Sequence, residues 1–389
     1  MFRDNNSSYD GPLVSVIVPN YRHEKYLAKR LRTIVQQAYE NIEIILLDDA
    51  SQDNSEEILT LFASACDKVV ALDINEKNSG QPIRQWLKGV SLAKGEYIWI
   101  AESDDEAKPD FLSELLRLLS QHPSAGIAYC DSEVIDENSR CINNYDYSSP
   151  HYNARGLWES DFFLHGRDFV AKYMTYRNVI PNVSAVLFRA SVLRDNLCES
   201  SLKYCADWAT YNRILLSTDI AYSHKAMNKF RKHIHTTRWH DKKSYSIELR
   251  EKVALLKVLK HNPALSMSGK SNIDSSLSFI FANRHKYRRV ENLCDQLSHV
   301  DKSEIDEIYI FGANDIAERV IETLSAAGIT PVVLDTNKAG KTCKGVEVCE
   351  LKDHHVSSMS FVVICSIRFQ EAIQIQLEEL GFTGRLLKV

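Results

Sequence analysis

No two of the nine cysteines stand in a CxxC pair, and their number is odd. That usage suits free, mostly buried thiols in a reducing compartment. Also missing is any apolar run approaching the roughly 18 residues that a bilayer-spanning helix needs. The opening residues, MFRDNNSSYDGPLVSV, lack the apolar centre of a secretory signal. A cytoplasmic location is expected, with peripheral contact at the inner face of a membrane left open. Excess positive charge is absent as well. With 47 Lys and Arg against 52 Asp and Glu the formal net charge is −5, so no nucleic-acid partner is expected. Internal repeats and low-complexity tracts are lacking too.

What is present is the balance of a globular chain: 44% hydrophobic and 25% charged residues over 389 positions. At about 100–200 residues per domain, two or three domains are expected. After a polar leader (1–12), Leu13–Val18 reads as a buried strand ended by Pro19-Asn20, and Leu27–Gln37 as a helix. Ile42–Leu47 is a second strand, stopped by Asp48-Asp49-Ala50-Ser51-Gln52-Asp53. A helix over Ser55–Cys66, a strand over Lys68–Leu72, a helix over Gln85–Ala93 and a strand over Tyr97–Ala101 follow. This alternation predicts βαβ units and a mostly parallel sheet, whose ligands bind at the carboxyl edge of the strands.

The acidic clusters fall at that edge. Glu102-Ser103-Asp104-Asp105 places three carboxylates within four residues directly after an apolar strand. Hard divalent cations such as Mg²⁺ and Mn²⁺ prefer oxygen ligands, so this turn is a candidate metal site. A metal there suits a reaction that develops negative charge on a leaving group.

Four ordered motifs carry a resemblance: Val14–Tyr21, Ile44–Asp53, Asn78-Ser79-Gly80, and Ala93–Asp105. Together they resemble family 2 of the inverting glycosyltransferases over about residues 13–240. The resemblance implies an α/β GT-A nucleotide-diphospho-sugar transferase domain (13–242); beyond it, helical periodicity reads as a helical connector (243–302) and renewed strand–helix alternation as a small Rossmann-like C-terminal domain (303–389). The resemblance also implies a UDP- or dTDP-sugar donor and a glycan or lipid-linked saccharide acceptor, in surface polysaccharide or lipopolysaccharide synthesis. On the donor side it implies Pro19, Tyr21, Asp48, Asp49, Gly80, Arg84, Asp104 and Arg231, with Tyr21 and Asp49 at the base. An aromatic face beside a carboxylate acceptor suits the imide N–H of uracil or thymine. The metal, Mn²⁺ or Mg²⁺, is implied at Asp104 and Asp105, with Glu102 (usually Asp in the family) and His233. Asn182, Ser184 and Trp208 fall on the acceptor side.

In Tyr204–Tyr211 the family's acidic pair reads Ala206-Asp207, leaving Asp207 as the candidate catalytic base, at the cap of a helix over Trp208–Leu216. Asn228–His233 resembles the family's late aromatic and basic motif, whose cations would face the diphosphate. The departures at Glu102 and Ala206 supply a second reading, a sugar-nucleotide-binding scaffold without activity. A nucleotidyltransferase would show a Gly-rich basic loop after the first strand, where this chain has Pro-Asn-Tyr-Arg-His-Glu.

Near the C-terminus, Gly312-Ala313-Asn314 between a strand and a helix, with Asp335 ending the next strand, echoes a dinucleotide fold. Asn314 stands where that fold places its second glycine, so its side chain would obstruct a pyrophosphate. A structural, regulatory or assembly role, including a surface for self-association, is expected there, with a bound nucleotide or sugar nucleotide as the alternative.

Overall fold

The computed structural model describes residues 11–145, 147, 156–199, 201–232, 244–282, 284–297, 307–326, 329–335, 337–344, 346–351, 360–366 and 369–388. They form two compact units. One comprises the described residues through Lys232 with Glu251–Leu277; the other comprises residues 244–250 and the described residues from Ser278 onward.

The first unit begins with β1 (Val14–Asn20), α1 (Glu24–Val35), β2 (Ile42–Asp48), α2 (Ser55–Ala65), β3 (Val69–Ile74), α3 (Pro82–Leu92) and β4 (Tyr97–Ile100). Strands β1 and β2 are buried along their whole length, as their largely apolar composition favours for a parallel sheet covered on both faces; the polar Ser15 and Glu43 among them bond each other at 2.5 Å. Helix α1 buries Leu27, Leu31 and Ile34 at helical spacing, each contributing about 1.5–3 kcal/mol of transfer free energy. Gly89 lets α3 approach β1 closely, since a Cβ there would lie 2.3 Å from Ile17 Cγ2.

Pro19 does not end the first strand, which runs on to Asn20. β1 pairs with β4 only through Ile17, so Pro19 lies where that neighbour has stopped and its missing N–H costs no ladder bond.

The unit continues with β5 (Glu106–Ala107), α4 (Phe111–Gln121), β6 (Ala125–Ile135), β7 (Cys141–Asn144), β8 (Phe162–Leu164), α5 (Gly166–Phe169), β9 (Val186–Arg189), α6 (Ala190–Asn196), α7 (Ala206–Leu215) and β10 (Asp219–Arg231). The described strands pair in the order β3-β2-β1-β4-β9-β6-β10-β5, with β7 on β6 and β8 on β10. Parallel pairing over β3-β2-β1-β4 gives way to antiparallel pairing at β9. Residues 251–277 lie on α8 (Ser244–Lys260) and α9 (Met267–Ala282) and bind this unit. Asn272 donates to the Ala171 carbonyl at 2.9 Å and Ser276 to that of Thr175 at 2.9 Å.

In the second unit, α10 (Arg284–Leu297) joins one apolar core with β11 (Ile308–Phe311) and α11 (Asp315–Ala326), through Val290, Leu293 and Leu297. This unit adds β12 (Val332–Leu334), β13 (Thr342–Cys343), β14 (Val346–Cys349), β15 (Phe361–Ile364), α12 (Gln370–Glu379) and β16 (Arg385–Lys388), in the order β13-β14-β12-β11-β15-β16. Among the described residues no helix is long and apolar enough to cross a membrane.

Candidate active site

The loops after β1, β2 and β4 meet at the carboxyl edge of the parallel strands. Arg22 and Ala50 hold φ angles of 57° and 59°, a region costing non-glycine residues roughly 1–2 kcal/mol each. Mutual bonding keeps them there. Ser51 Oγ accepts the Arg22 N–H at 2.8 Å, and the Ser51 N–H and hydroxyl both donate to the buried Asp48 carboxylate at 2.7 Å. Asp49 accepts from Asn75 Nδ2 at 2.7 Å, Ser79 N–H at 2.9 Å, Ser79 Oγ at 2.7 Å and Gln85 Nε2 at 2.9 Å. It is the post on which the 75–85 segment hangs, and a base N–H reaching it must share an oxygen with these donors. Within that segment Gly80 takes φ +74°, the turn conformation that glycine supplies, while Tyr21 is 37% exposed beneath the Arg22 guanidinium, 5.1 Å from its ring centre.

The acidic turn after β4 is held from below and behind. The Glu102 N–H donates to Ser184 Oγ at 3.1 Å, and Trp86 of α3 donates its indole N–H to the Glu102 carboxylate at 2.8 Å. Asp105 is 2% exposed and accepts from the Arg231 N–H at 2.9 Å and from Asn182 Nδ2. Burial, followed by the charge of Asp104, pushes the Glu102 carboxyl up to about 8 and raises that of Asp105. Asp104 has a side chain 15% exposed, with His23 Nε2 4.0 Å away. His23 Nδ1 lies 2.8 Å from Ser103 Oγ, so this histidine joins the cluster although the sequence reading passed over it. Its signal was position: it lies in the same post-β1 loop as Tyr21.

Beneath the turn, Arg30 is wholly buried with its guanidinium 4.7 Å from the Trp99 ring centre and, among the described residues, no hydrogen-bond partner. Burial lowers it to about 10, against the raising charges of Asp105, Asp104, Glu102 and Glu106.

Helix α7 begins at Ala206, so Asp207 sits in its first turn and not at the cap. Its carboxylate accepts from Asn178 Nδ2 at 3.0 Å and from the Trp208 N–H at 2.7 Å. One turn on, Tyr211 is fully buried and its hydroxyl has no hydrogen-bond partner among the described residues. Burial and then the charges of Asp207 and Glu102 raise that phenol well above its ordinary value. A single side chain thus lies within electrostatic reach of both the candidate base and the acidic turn.

Several of the expected contact residues have partners within the packing. Ser184 is 0% exposed, and the half-buried Asn182 donates to Asp105 and accepts from Asn228, so both brace the acidic turn. Trp208 is buried, its indole N–H donating to the Met174 carbonyl at 3.1 Å. Arg231 is 1% exposed and binds Glu106 and the carbonyls of Asp104 and Asp136, so its guanidinium does not face a diphosphate. Arg84 pairs with Glu199 at 3.1 Å. His233 lies outside the described residues. Among those described, no three His, Cys, Asp or Glu side chains form a ready metal cage.

A profile of the family described as Glycosyl transferase family 2 matches residues 15–178, which contain the loops after β1, β2 and β4. Residues 15–178 form a family 2 glycosyltransferase domain. The glycosyltransferase GlyG of Streptococcus pneumoniae is 33% identical to the chain over 168 residues, 43% of this chain and 49% of GlyG. The abequosyltransferase RfbV of Salmonella typhimurium is 36% identical over 121 residues, 31% of this chain and 35% of RfbV. The matched stretch therefore spans about half or less of either relative. The crystal structure of S. aureus TarS 1-349 with UDP-GlcNAc superposes with TM-score 0.53 at 18% identity, covering 80% of this chain and 79% of that one. The likeness establishes the GT-A architecture of this glycosyltransferase domain.

In the C-terminal unit, the groups that a dinucleotide would use are bonded internally. Asn314 Oδ1 accepts the N–H groups of Ile316 at 2.9 Å and Ala317 at 3.1 Å, and Asp335 accepts that of Ala313 at 2.9 Å.

Proposed function

We propose that this protein transfers a sugar from a UDP- or dTDP-linked donor to a hydroxyl of a glycan or lipid-linked acceptor, with inversion at the anomeric carbon. What supports this reading is the acidic turn Glu102–Asp105 at the carboxyl edge of the family 2 domain together with Asp207 in the first turn of α7, whose Tyr211 lies within electrostatic reach of both Asp207 and Glu102. Tyr21 offers its half-exposed face to the base, and Asp49 with Ser79 offers polar contacts beside it.

A divalent cation would be held by Asp104, whose side chain keeps 15% exposure beside His23. Such ions commonly use one or two carboxylates plus substrate phosphates, so a complete protein cage is not required. When bound, it would neutralise charge on the departing diphosphate. Asp207 takes the proton from the attacking acceptor hydroxyl on the face opposite that leaving group. A cytoplasmic setting in surface polysaccharide or lipopolysaccharide assembly completes the reading.

Calorimetric titration of UDP, dTDP, GDP and CMP with and without Mn²⁺ tests it. UDP or dTDP should bind only with metal, and Asp104→Asn should abolish that dependence. Asp207→Asn should bind donor normally while kcat for transfer falls about 10²–10⁴-fold. Donor binding indifferent to both Mn²⁺ and Asp104 would overturn the proposal.

A further inference from the structure

We propose that Glu251 is a positioning residue for the base, holding the loop that delivers Asp207; this rests on the function proposed above. Glu251 lies on α8, well beyond the matched family domain, and is 9% exposed. Its carboxylate accepts three successive backbone N–H groups: Lys203 at 2.7 Å, Tyr204 at 2.8 Å and Cys205 at 3.0 Å.

Consecutive N–H groups converging in this way make an anion-binding concavity. Here the anion is the chain's own side chain. Each bond is charge-assisted, and each of the three N–H groups loses this acceptor if the carboxylate is removed.

The consequence follows from where the loop leads. Cys205 is the last residue before α7, its carbonyl accepts the Ala209 N–H at 2.9 Å, and Asp207 follows two residues later. On the other side of Asp207, Trp208 is anchored through Met174, with the Lys252 ammonium 5.7 Å from its ring centre. Adjacent residues of α8, Glu251 and Lys252, therefore grip the chain on both sides of the candidate base. Releasing one grip lets Asp207 shift relative to the acceptor hydroxyl, and a displacement of about 1 Å costs on the order of a hundredfold in rate. Donor binding, built on the loops after β1, β2 and β4, does not depend on that loop.

The test is a double-mutant cycle on the full-length chain, measuring transfer kinetics and metal-dependent UDP binding for Glu251→Gln, Asp207→Asn and the pair. Glu251→Gln should lower kcat about tenfold or more with UDP affinity and donor KM within about twofold of wild type. The pair should be no slower than Asp207→Asn alone, because a base that is absent cannot be misplaced. Wild-type kcat in Glu251→Gln, or losses that multiply in the pair, would overturn the inference. If Glu251→Gln does not bind UDP, Glu251→Asp, which keeps the charge, is measured in the same way; lost binding in both variants also overturns it, since Glu251 then maintains the fold as a whole. An Asp207→Asn enzyme as fast as wild type refutes instead the assignment of the base, and that arm reads it independently.

Discussion

Replacing Arg231 by Met keeps the length and apolar stem of a side chain that is 1% exposed but removes its guanidinium. The guanidinium donates to the Asp104 carbonyl at 2.6 Å, the Asp136 carbonyl at 2.6 Å, Glu106 at 2.5 Å and Ser139 Oγ at 3.1 Å, and lies 4.6 Å from the Tyr26 ring centre. Breaking a buried ion pair from one side costs about 3–5 kcal/mol, because the partner charge stays behind. Glu106 retains Lys29 at 3.2 Å, which places the expected loss near the lower end, about 3 kcal/mol. For a domain of this size that is a fall in Tm of about 6–12 °C, read by calorimetry on the first unit's transition.

The pH dependence has a definite sign. Burial opposes ionisation of Glu106, but Ser139, Lys29 and Arg231 outweigh it and hold the carboxyl below its ordinary value of 4.5. Its stabilisation is therefore present above about pH 4.5 and lost as pH falls through the folded value. Without Arg231 that advantage shrinks or reverses, so the deficit of the variant is largest near pH 7.5 and narrows toward pH 4. A deficit below about 1 kcal/mol, or one of equal size at pH 7.5 and pH 4, refutes the reasoning.

Glu114 is held down to about 2, chiefly by Arg117 and against burial, with Lys225 and Ser223 assisting. The folded value is below 4.5, so Glu114→Gln should cost about 1–2 kcal/mol in urea unfolding at pH 7, and the difference should fade between about pH 4.5 and 2. That figure is discounted for solvent screening of the half-exposed cations. Tyr211→Phe removes a buried hydroxyl without a hydrogen-bond partner, and should leave stability unchanged or raised by up to about 1 kcal/mol in the same assay. A clear loss of stability there would mean that the hydroxyl is bonded in solution.

The α/β order, the parallel start of the sheet and the carboxylate turn were legible because each is a local property. Strongly apolar runs such as Val14–Val18 and Ile42–Leu47, interrupted only by Ser15 and Glu43, favour a strand buried on both faces, and the polar clusters after them lie at the strand ends. The roles of the later residues were not legible. Asn182, Ser184, Trp208 and Arg231 have the polar or aromatic chemistry of ligand-contacting residues, and motif position suggested that use. Packing instead directs them inward, because a buried acidic turn needs donors more than a solvated one does. His23 and Glu251 were missed for the reverse reason: neither stands in a motif, and each acquires its partner only from a segment distant in sequence.

By itself, then, the sequence determined the strands, the helices and the acidic loop between β4 and α4, since hydrophobic periodicity and turn chemistry act over a few residues. Only the tertiary structure decided which polar side chains face the cleft and which hold it together. A donor or acceptor group goes to whichever partner leaves fewest buried groups unsatisfied, and those partners lie up to 127 residues apart, as Arg231 and Asp104 do.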